Sequence, residues 1–360
     1  MTARANPYRL VGQVAEGDRF IGRTELIRQL QSVWQDSGRP SNLRLLGHHR
    51  MGKTSVMRQA LHTCRARPDD LLKIWINVGS HDSGMDLFRA MARRVMEQLR
   101  DPERSASLPD GVAERCAPID MAVQKAGTWY DLSESIRDFF KAIRRAGLSV
   151  LMVLDEFDRA STTLKNLAEF QLLRDLASDP VFSVGLITVS RRDIESIEIA
   201  TAGGSILGGV VATRRYVGMF TDEEVDLMLA RAASCGIGLA SVRESIVDLT
   251  GGHPFLLELL CNRIVEIHQA TGEISPQLAY EEESHTFAAQ FAQLLENIDR
   301  DSQGRGTVLL RRIAAGAGPE GPSLDLNRLR LTGVVTPGSS PPRLFSREFA
   351  RYLQMATAQP

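Results

Sequence analysis

Leu43-Arg-Leu-Leu46 is a short apolar run that passes directly into Gly47-His-His-Arg-Met-Gly52-Lys53-Thr54, and Ser55 to Cys64 then reads as helix. An apolar strand, a glycine-bounded loop and a helix in that order constrain the fold more than anything else in the chain. They place the segment in an α/β layer, with the strand in a mainly parallel sheet. The pattern G-x-x-x-x-G-K-T also has a chemical reading. Gly47 and Gly52 let the backbone wrap tightly and turn its N–H groups inward. With the start of the helix, Ser55 included, they form a cradle for phosphate oxygens. Lys53 then reaches the β- and γ-phosphates of ATP, and the Thr54 hydroxyl ligates Mg²⁺. His48, His49, Arg50 and Met51 fill the variable positions. They count as nucleotide contacts only as members of the loop, and the two histidines read as filler rather than as ligand or base.

The rest of the chain continues the alternation. Strands are expected near 72–78, 148–154 and 181–189, with a closing strand near 216–220. Leu148-Ser-Val-Leu-Met-Val-Leu154 is a continuous apolar run, as suits a strand covered on both faces. Helices are expected at 24–34, 85–99, 132–145 and 161–177, where apolar residues recur at helical spacing. Residues 101–131, rich in Asp, Pro, Ser and Gly, read as an irregular insertion. Thr221-Asp-Glu-Glu224 is a capping box, and from there helical patterns dominate at 222–234, 241–250, 254–269 and 278–297. Three short helical segments follow (308–314, 324–332 and 345–354), with the Pro/Gly-rich piece 333–344 suited to a wing. The expected domains are an extended lead-in at 1–22, an α/β core at 23–220, a helical lid at 221–298 and a winged-helix-like unit at 299–360.

Four further positions carry chemistry. Asp155-Glu156 ends the apolar run at 148–154, and ligands bind at the carboxyl ends of strands in open α/β sheets. Asp155 there holds the Mg²⁺ shell, and Glu156 polarises the attacking water as general base. Ser190-Arg191-Arg192 ends the next apolar strand, which either puts a cation, Arg191, toward the γ-phosphate or leaves a solvated charge pair after the strand. Asn77 ends the second strand, where it either hydrogen-bonds Glu156 and holds it off the water or is an ordinary strand-end residue. In Thr250-Gly-Gly-His-Pro254 the glycines stop one helix and Pro254 opens the next, which also lets Pro254 cover the adenine as part of a lid.

Formal net charge is −1, with 43% hydrophobic and 24% charged residues. That is the composition of a globular protein without a global basic field. Cys64, Cys116, Cys235 and Cys261 form no C-x-x-C pair, so reduced thiols are expected rather than a disulfide or zinc framework. Met1-Thr-Ala-Arg-Ala-Asn-Pro7 has no apolar core for a signal peptide, and no segment has transmembrane length. A cytoplasmic location without membrane contact is the expectation.

Together these motifs resemble AAA+-like P-loop ATPases of the STAND and archaeal-ATPase branch, near the Orc/Cdc6-type proteins, over roughly residues 6–355. Phe20-Ile21-Gly22-Arg23-Thr-Glu25 resembles that branch's h-h-G-R-x-x-E motif with its Glu one position early, which implies base contacts by Ile21, Gly22 and Arg23. Gly47–Thr54 resembles Walker A, Leu151–Glu156 Walker B, Thr188–Arg191 the sensor-1 segment, Gly251–Pro254 the lid motif, and 329–353 the winged helix. The resemblance implies a P-loop NTPase with a parallel five-stranded sheet of order 5-1-4-3-2, a helical lid and a winged helix, with ATP or ADP and Mg²⁺ bound. The chain departs from the family in that no effector domain or repeat array is recognisable, and no sensor-2 or trans-acting arginine stands out.

The expected function is an ATP-binding switch with slow hydrolysis that signals to a separate protein effector, as in bacterial defence or signalling, with oligomerisation open. The alternative is a DNA-associated ATPase of Orc/Cdc6 or transposition-regulator type, with Arg328, Arg330, Arg343 and Arg347 as a modest basic cluster on duplex DNA. A third reading is a non-hydrolysing scaffold that holds ADP.

Overall fold

A computed structural model describes residues 5–35, 39–64, 70–105, 108–318 and 323–355. Residues 1–4 of the expected lead-in, and 319–322 and 356–360 of the expected C-terminal unit, lie outside the described residues.

Five strands form one sheet: β1 (Leu43–Leu46), β2 (Leu71–Asn77), β3 (Ser149–Asp155), β4 (Val184–Ser190) and β5 (Arg214–Tyr216). Their order is β2-β3-β4-β1-β5, the expected 5-1-4-3-2 seen from the other edge. The pairs β2–β3, β3–β4 and β4–β1 are parallel. Register sets Asn77 opposite Asp155 and Leu46 opposite Ser190, so four strands end together at one edge of the sheet. β3 and β4 are buried at every residue, which is why their sequences are unbroken apolar runs rather than alternating ones. β5 is short and carries Arg214 and Arg215, which suits an edge that must not recruit further strands.

Nine helices accompany the sheet among the described residues: α1 (Thr24–Gln35), α2 (Lys53–His62), α3 (Gly84–Leu99), α4 (Pro102–Ser105), α5 (Val112–Lys125), α6 (Trp129–Arg145), α7 (Ala160–Thr163), α8 (Leu167–Ser178) and α9 (Ile194–Ala202). The segment expected to be irregular, 101–131, is therefore largely helical. Val112, Cys116 and Val123 share one face of α5 and are buried in the core. Interior Pro118 and the polar flanks hide that periodicity from a sequence reading. The closing strand also falls earlier than expected, at 214–216. The helical remainder comprises α10 (Asp222–Ala230), α11 (Arg243–Thr250), α12 (Pro254–Thr271), α13 (Pro276–Ser302), α14 (Arg305–Ala314), α15 (Leu324–Leu331) and α16 (Arg347–Met355). An antiparallel bridge between Val335 and Leu344 closes the turn that separates α15 from α16.

The chain divides into two compact units, one of residues 1–24, 47–56 and 216–360, the other of 25–46 and 57–215. Each has its own apolar core. In the sheet unit, Leu72, Ile76, Met152 and Leu186 pack with Phe88, Phe139 and Phe140. In the helical unit, Leu256, Leu260, Phe287, Phe291 and Phe349 form the centre, and Tyr8 of the lead-in is buried among them. The Tyr8 hydroxyl donates to the Met228 carbonyl at 2.7 Å, and Asn6 Nδ2 donates to Asn262 Oδ1 at 2.9 Å, so the lead-in is tied down at both positions.

Candidate active site

β1 ends at Leu46, and the loop 47–52 turns the chain into α2 at Lys53. Gly47 has no room for a side chain, since a Cβ there would lie 2.8 Å from the Val217 carbonyl oxygen. Gly52 has φ +84, and Arg50, without glycine's freedom, is also left-handed at φ 57. Lys53 Nζ spans the loop and donates to the carbonyls of Gly47 (2.9 Å) and His48 (2.8 Å). The first turn of α2 contains no acidic residue to neutralise its positive end. A helix N-terminus behind a glycine loop, with a lysine and two hydroxyls (Thr54 and Ser55) in its first turn, suits a phosphate in its chemistry. Ser55 Oγ accepts from the Ala15 N–H at 3.0 Å, which anchors the lead-in to this turn. Met51 is buried.

The two loop histidines differ. His48 is buried, and neither ring nitrogen has a hydrogen-bond partner. Burial, followed by the positive charges of Lys53 and Arg328, pushes its pKa down to about 3. His49 is half-buried, and its carbonyl accepts from Gln290 Nε2 of α13 at 3.4 Å. The Arg50 guanidinium lies 4.0 Å from the centroid of the Phe255 ring.

Ile21, Gly22 and Arg23 belong to the same unit as the loop. Arg23 is a buried clamp. It donates to the carbonyls of Met219 (3.0 Å) and Gly218 (2.7 Å), stacks on Phe220 and faces Glu224 at 3.5 Å. Burial lowers its pKa, and Glu224 opposes that shift. The Arg23 side chain is thus committed to protein groups. Gly22, at φ 59, lies so close to the Glu224 carboxylate that a Cβ would come within 2.5 Å of it. Pro254 is the first residue of α12, behind Gly251 and Gly252, both left-handed.

The carboxyl edge of the sheet holds the other expected residues. Asp155 is buried, and its Oδ1 accepts from the Glu156 N–H at 2.9 Å. Glu156 is exposed and left-handed at φ 53, so its carboxylate leaves the strand direction and stands beside Gly79. Asn77 is engaged as a strand-end residue. Its Oδ1 accepts from the Gly79 N–H at 2.8 Å and caps the turn after β2, and among the described bonds none joins Asn77 to Glu156. Arg191 is paired with Asp158, through Nε to Oδ2 at 3.0 Å and its backbone N–H to Oδ1. Asp158, Glu224 and Gln290 were not singled out by sequence. Asp158 sits two residues past Glu156, Glu224 shows only as half of a capping box, and Gln290 has no local signal at all. Among the described residues, no group of three or more His, Cys, Asp or Glu is placed to hold a metal ion. Mg²⁺ characteristically takes one or two protein ligands and completes its shell with phosphates and water.

Residues 19–187 match the family model described as AAA ATPase domain. No curated protein matches the chain. Among solved structures, the Walker-type ATPase PABY2304 of Pyrococcus abyssi is similar over 94% of this chain and 97% of its own, with TM-score 0.57 and 15% identity. The Orc1 protein of Aeropyrum pernix, solved in complex with DNA, is similar over 98% and 97%, with TM-score 0.51 and 16% identity. At such identities the likeness is one of fold. Residues 19–187 thus match an AAA ATPase domain, and the chain shares the P-loop ATPase fold of these structures, with helices following the sheet. No helix among the described residues is long and apolar enough to cross a membrane.

Proposed function

We propose that this protein is an ATP-dependent switch of Orc/Cdc6 type that acts on duplex DNA through its C-terminal helices and the turn between α15 and α16. The observation that carries the nucleotide part is the loop 47–54 itself, with Lys53 drawn across it and no acidic residue in the first turn of α2. In this reading Gly47 to Ser55 hold the phosphates of ATP or ADP, and Thr54 and Asp155 hold Mg²⁺, which when bound offsets the phosphate charge. Ile21, Gly22, Arg23 and Pro254 shape the base side, Arg23 by clamping the lead-in rather than by touching the base. Glu156 takes a proton from the attacking water as ATP becomes ADP and phosphate. Slow or partner-stimulated turnover is the reading in which the Arg191–Asp158 pair competes with a γ-phosphate for the guanidinium.

The DNA part is supported by exposed Arg343 on the turn closed by Val335 and Leu344, and by the similarity in fold to an Orc1 protein solved with DNA. A second reading, output to a protein effector, is favoured by one observation. On α15, Arg328 is paired with Asp301 at 2.7 Å and Arg330 donates to the Ser339 carbonyl at 3.1 Å, so both arginines are already engaged. The deciding measurement is duplex DNA binding against salt, with ATP and with ADP. Salt-sensitive, nucleotide-dependent binding that falls with Arg343→Ala is expected. Absence of DNA binding in both nucleotide states would transfer the proposal to a protein effector. In parallel, Lys53→Ala is expected to abolish tight ATP binding, and Glu156→Gln to bind ATP without turning it over.

A further inference from the structure

We infer that Gln290, in the middle of α13, is a positioning residue for the phosphate loop. It stands 241 positions from the residue it holds. The inference rests on the proposed nucleotide site and adds what keeps its loop in shape.

Three consecutive carbonyls of the loop are held by side chains. Lys53 takes those of Gly47 and His48, and Gln290 takes that of His49. Gln290 is buried, with 4% of its surface exposed, so this amide is not a surface group in passing contact. Its nitrogen also faces His253 Nε2 at 3.4 Å. One NH₂ group thus has two acceptors, a carbonyl oxygen and an imidazole lone pair, and it has two hydrogens to give them. The reverse orientation of the amide would set its oxygen against the His49 carbonyl, so the network selects the donor. With Gln290 as donor, His253 Nε2 accepts, and the proton of the neutral ring then falls on Nδ1, which has no hydrogen-bond partner among the described residues.

The consequence for the loop follows from peptide geometry. In a planar trans peptide the carbonyl and the next N–H point to opposite sides. Fixing the His49 carbonyl on Gln290 therefore turns the Arg50 N–H away from α13, to the side where the phosphates lie in the proposed site. Arg50 needs such a restraint, because a left-handed non-glycine residue persists only where its surroundings over-determine it. The other restraint is the Arg50 guanidinium on the Phe255 ring of α12. Both restraints come from the helical unit, so the conformation of the loop depends on residues far along the chain.

The test uses the full chain. A fluorescent ADP analogue is titrated against the parent, Gln290→Met, Gln290→Glu and Lys53→Ala, and its release rate and the thermal midpoint of each variant are recorded. Gln290→Met keeps the volume and removes both donors, and about three- to tenfold weaker binding through faster release is expected. Gln290→Glu is nearly isosteric and replaces the donor by an acceptor, so it keeps the test open if the first variant does not fold, and weakening at least as large is expected. Affinity and release rate within twofold of the parent, with only the thermal midpoint lowered, would reduce Gln290 to a packing residue. If Lys53→Ala abolishes binding while neither Gln290 variant changes it, the positioning role alone fails. If Lys53→Ala binds as the parent does, the phosphate-loop reading fails with it.

Discussion

Gly251 shows how one residue can fix the junction of two helices. It ends α11 with φ 58, and a Cβ built on it would lie 2.1 Å from the Phe345 carbonyl oxygen. Gly251→Ala therefore carries two costs, the left-handed backbone and a clash with main chain that has little freedom to retreat. A loss of about 2–4 kcal/mol is expected. Gly236, at φ 84, has nothing within 4 Å of a built Cβ, so Gly236→Ala carries the backbone cost alone, about 1 kcal/mol. Urea unfolding of the two variants separates the terms, and equal losses would show that Phe345 yields. The helix stop at Gly251-Gly252 and the helix start at Pro254 are legible in the sequence, because both depend on local backbone preference. The contact with Phe345 is not, because nothing near either residue encodes it. The same division runs through the candidate site. The strand–loop–helix around Lys53 and the turn capped by Asn77 can be read locally, whereas the partners of Arg191 and His49 are chosen by the fold.

Among elements, α10 joins a local signal to a distant one. Its capping box is complete, with the Thr221 hydroxyl accepting from the Glu224 N–H and the Glu224 carboxylate accepting from the Thr221 N–H. The Thr-x-x-Glu spacing announces that much. The same carboxylate also accepts from the backbone N–H of Arg23 and faces its buried guanidinium. Glu224→Ala removes the cap and strands a buried cation, for which about 3–5 kcal/mol is expected. The double variant Arg23→Met with Glu224→Ala removes the cation as well, so it is expected to lose less than the sum of the two single changes. A double-mutant cycle by chemical denaturation measures the coupling, and strict additivity would mean that Glu224 acts on the helix cap alone. α5 is the converse case. Its apolar face is present in the sequence, but Pro118 and the Pro/Gly flanks argue locally for a loop, and burial against the rest of the sheet unit overrides them.

At the scale of the whole molecule, the chain crosses more than once between its two compact units, and 47–56 group with the helical unit although β1 belongs to the other. Nothing in the linear sequence marks a boundary between Leu46 and Gly47, because the strand–loop–helix is continuous there. The phosphate loop thereby shares the unit that contains His253, and this has a consequence for acid stability. His48 and His253 are both held neutral by burial, with pKa values pushed down to about 3 from an ordinary 6.5. Between those values the unfolded chain binds a proton at each site and the folded chain does not. Stability is thus fully present above about pH 6.5 and falls as pH drops toward 3, by up to about 1.4 kcal/mol per pH unit for each histidine. His48→Phe removes one of the two groups together with two ring nitrogens that have no partner. Its stability at pH 8 is expected to equal or exceed that of the parent, since replacing an unsatisfied buried polar group with an apolar one of similar shape carries little penalty. Its acid slope between pH 6 and pH 4 is expected to be lower by the share of one histidine. Urea titrations of parent and variant at pH 8, 6, 5 and 4 measure both quantities. Parallel curves at all four values would mean that the folded protein protonates His48 readily, so that the loop opens in acid and the imidazole is not locked inside.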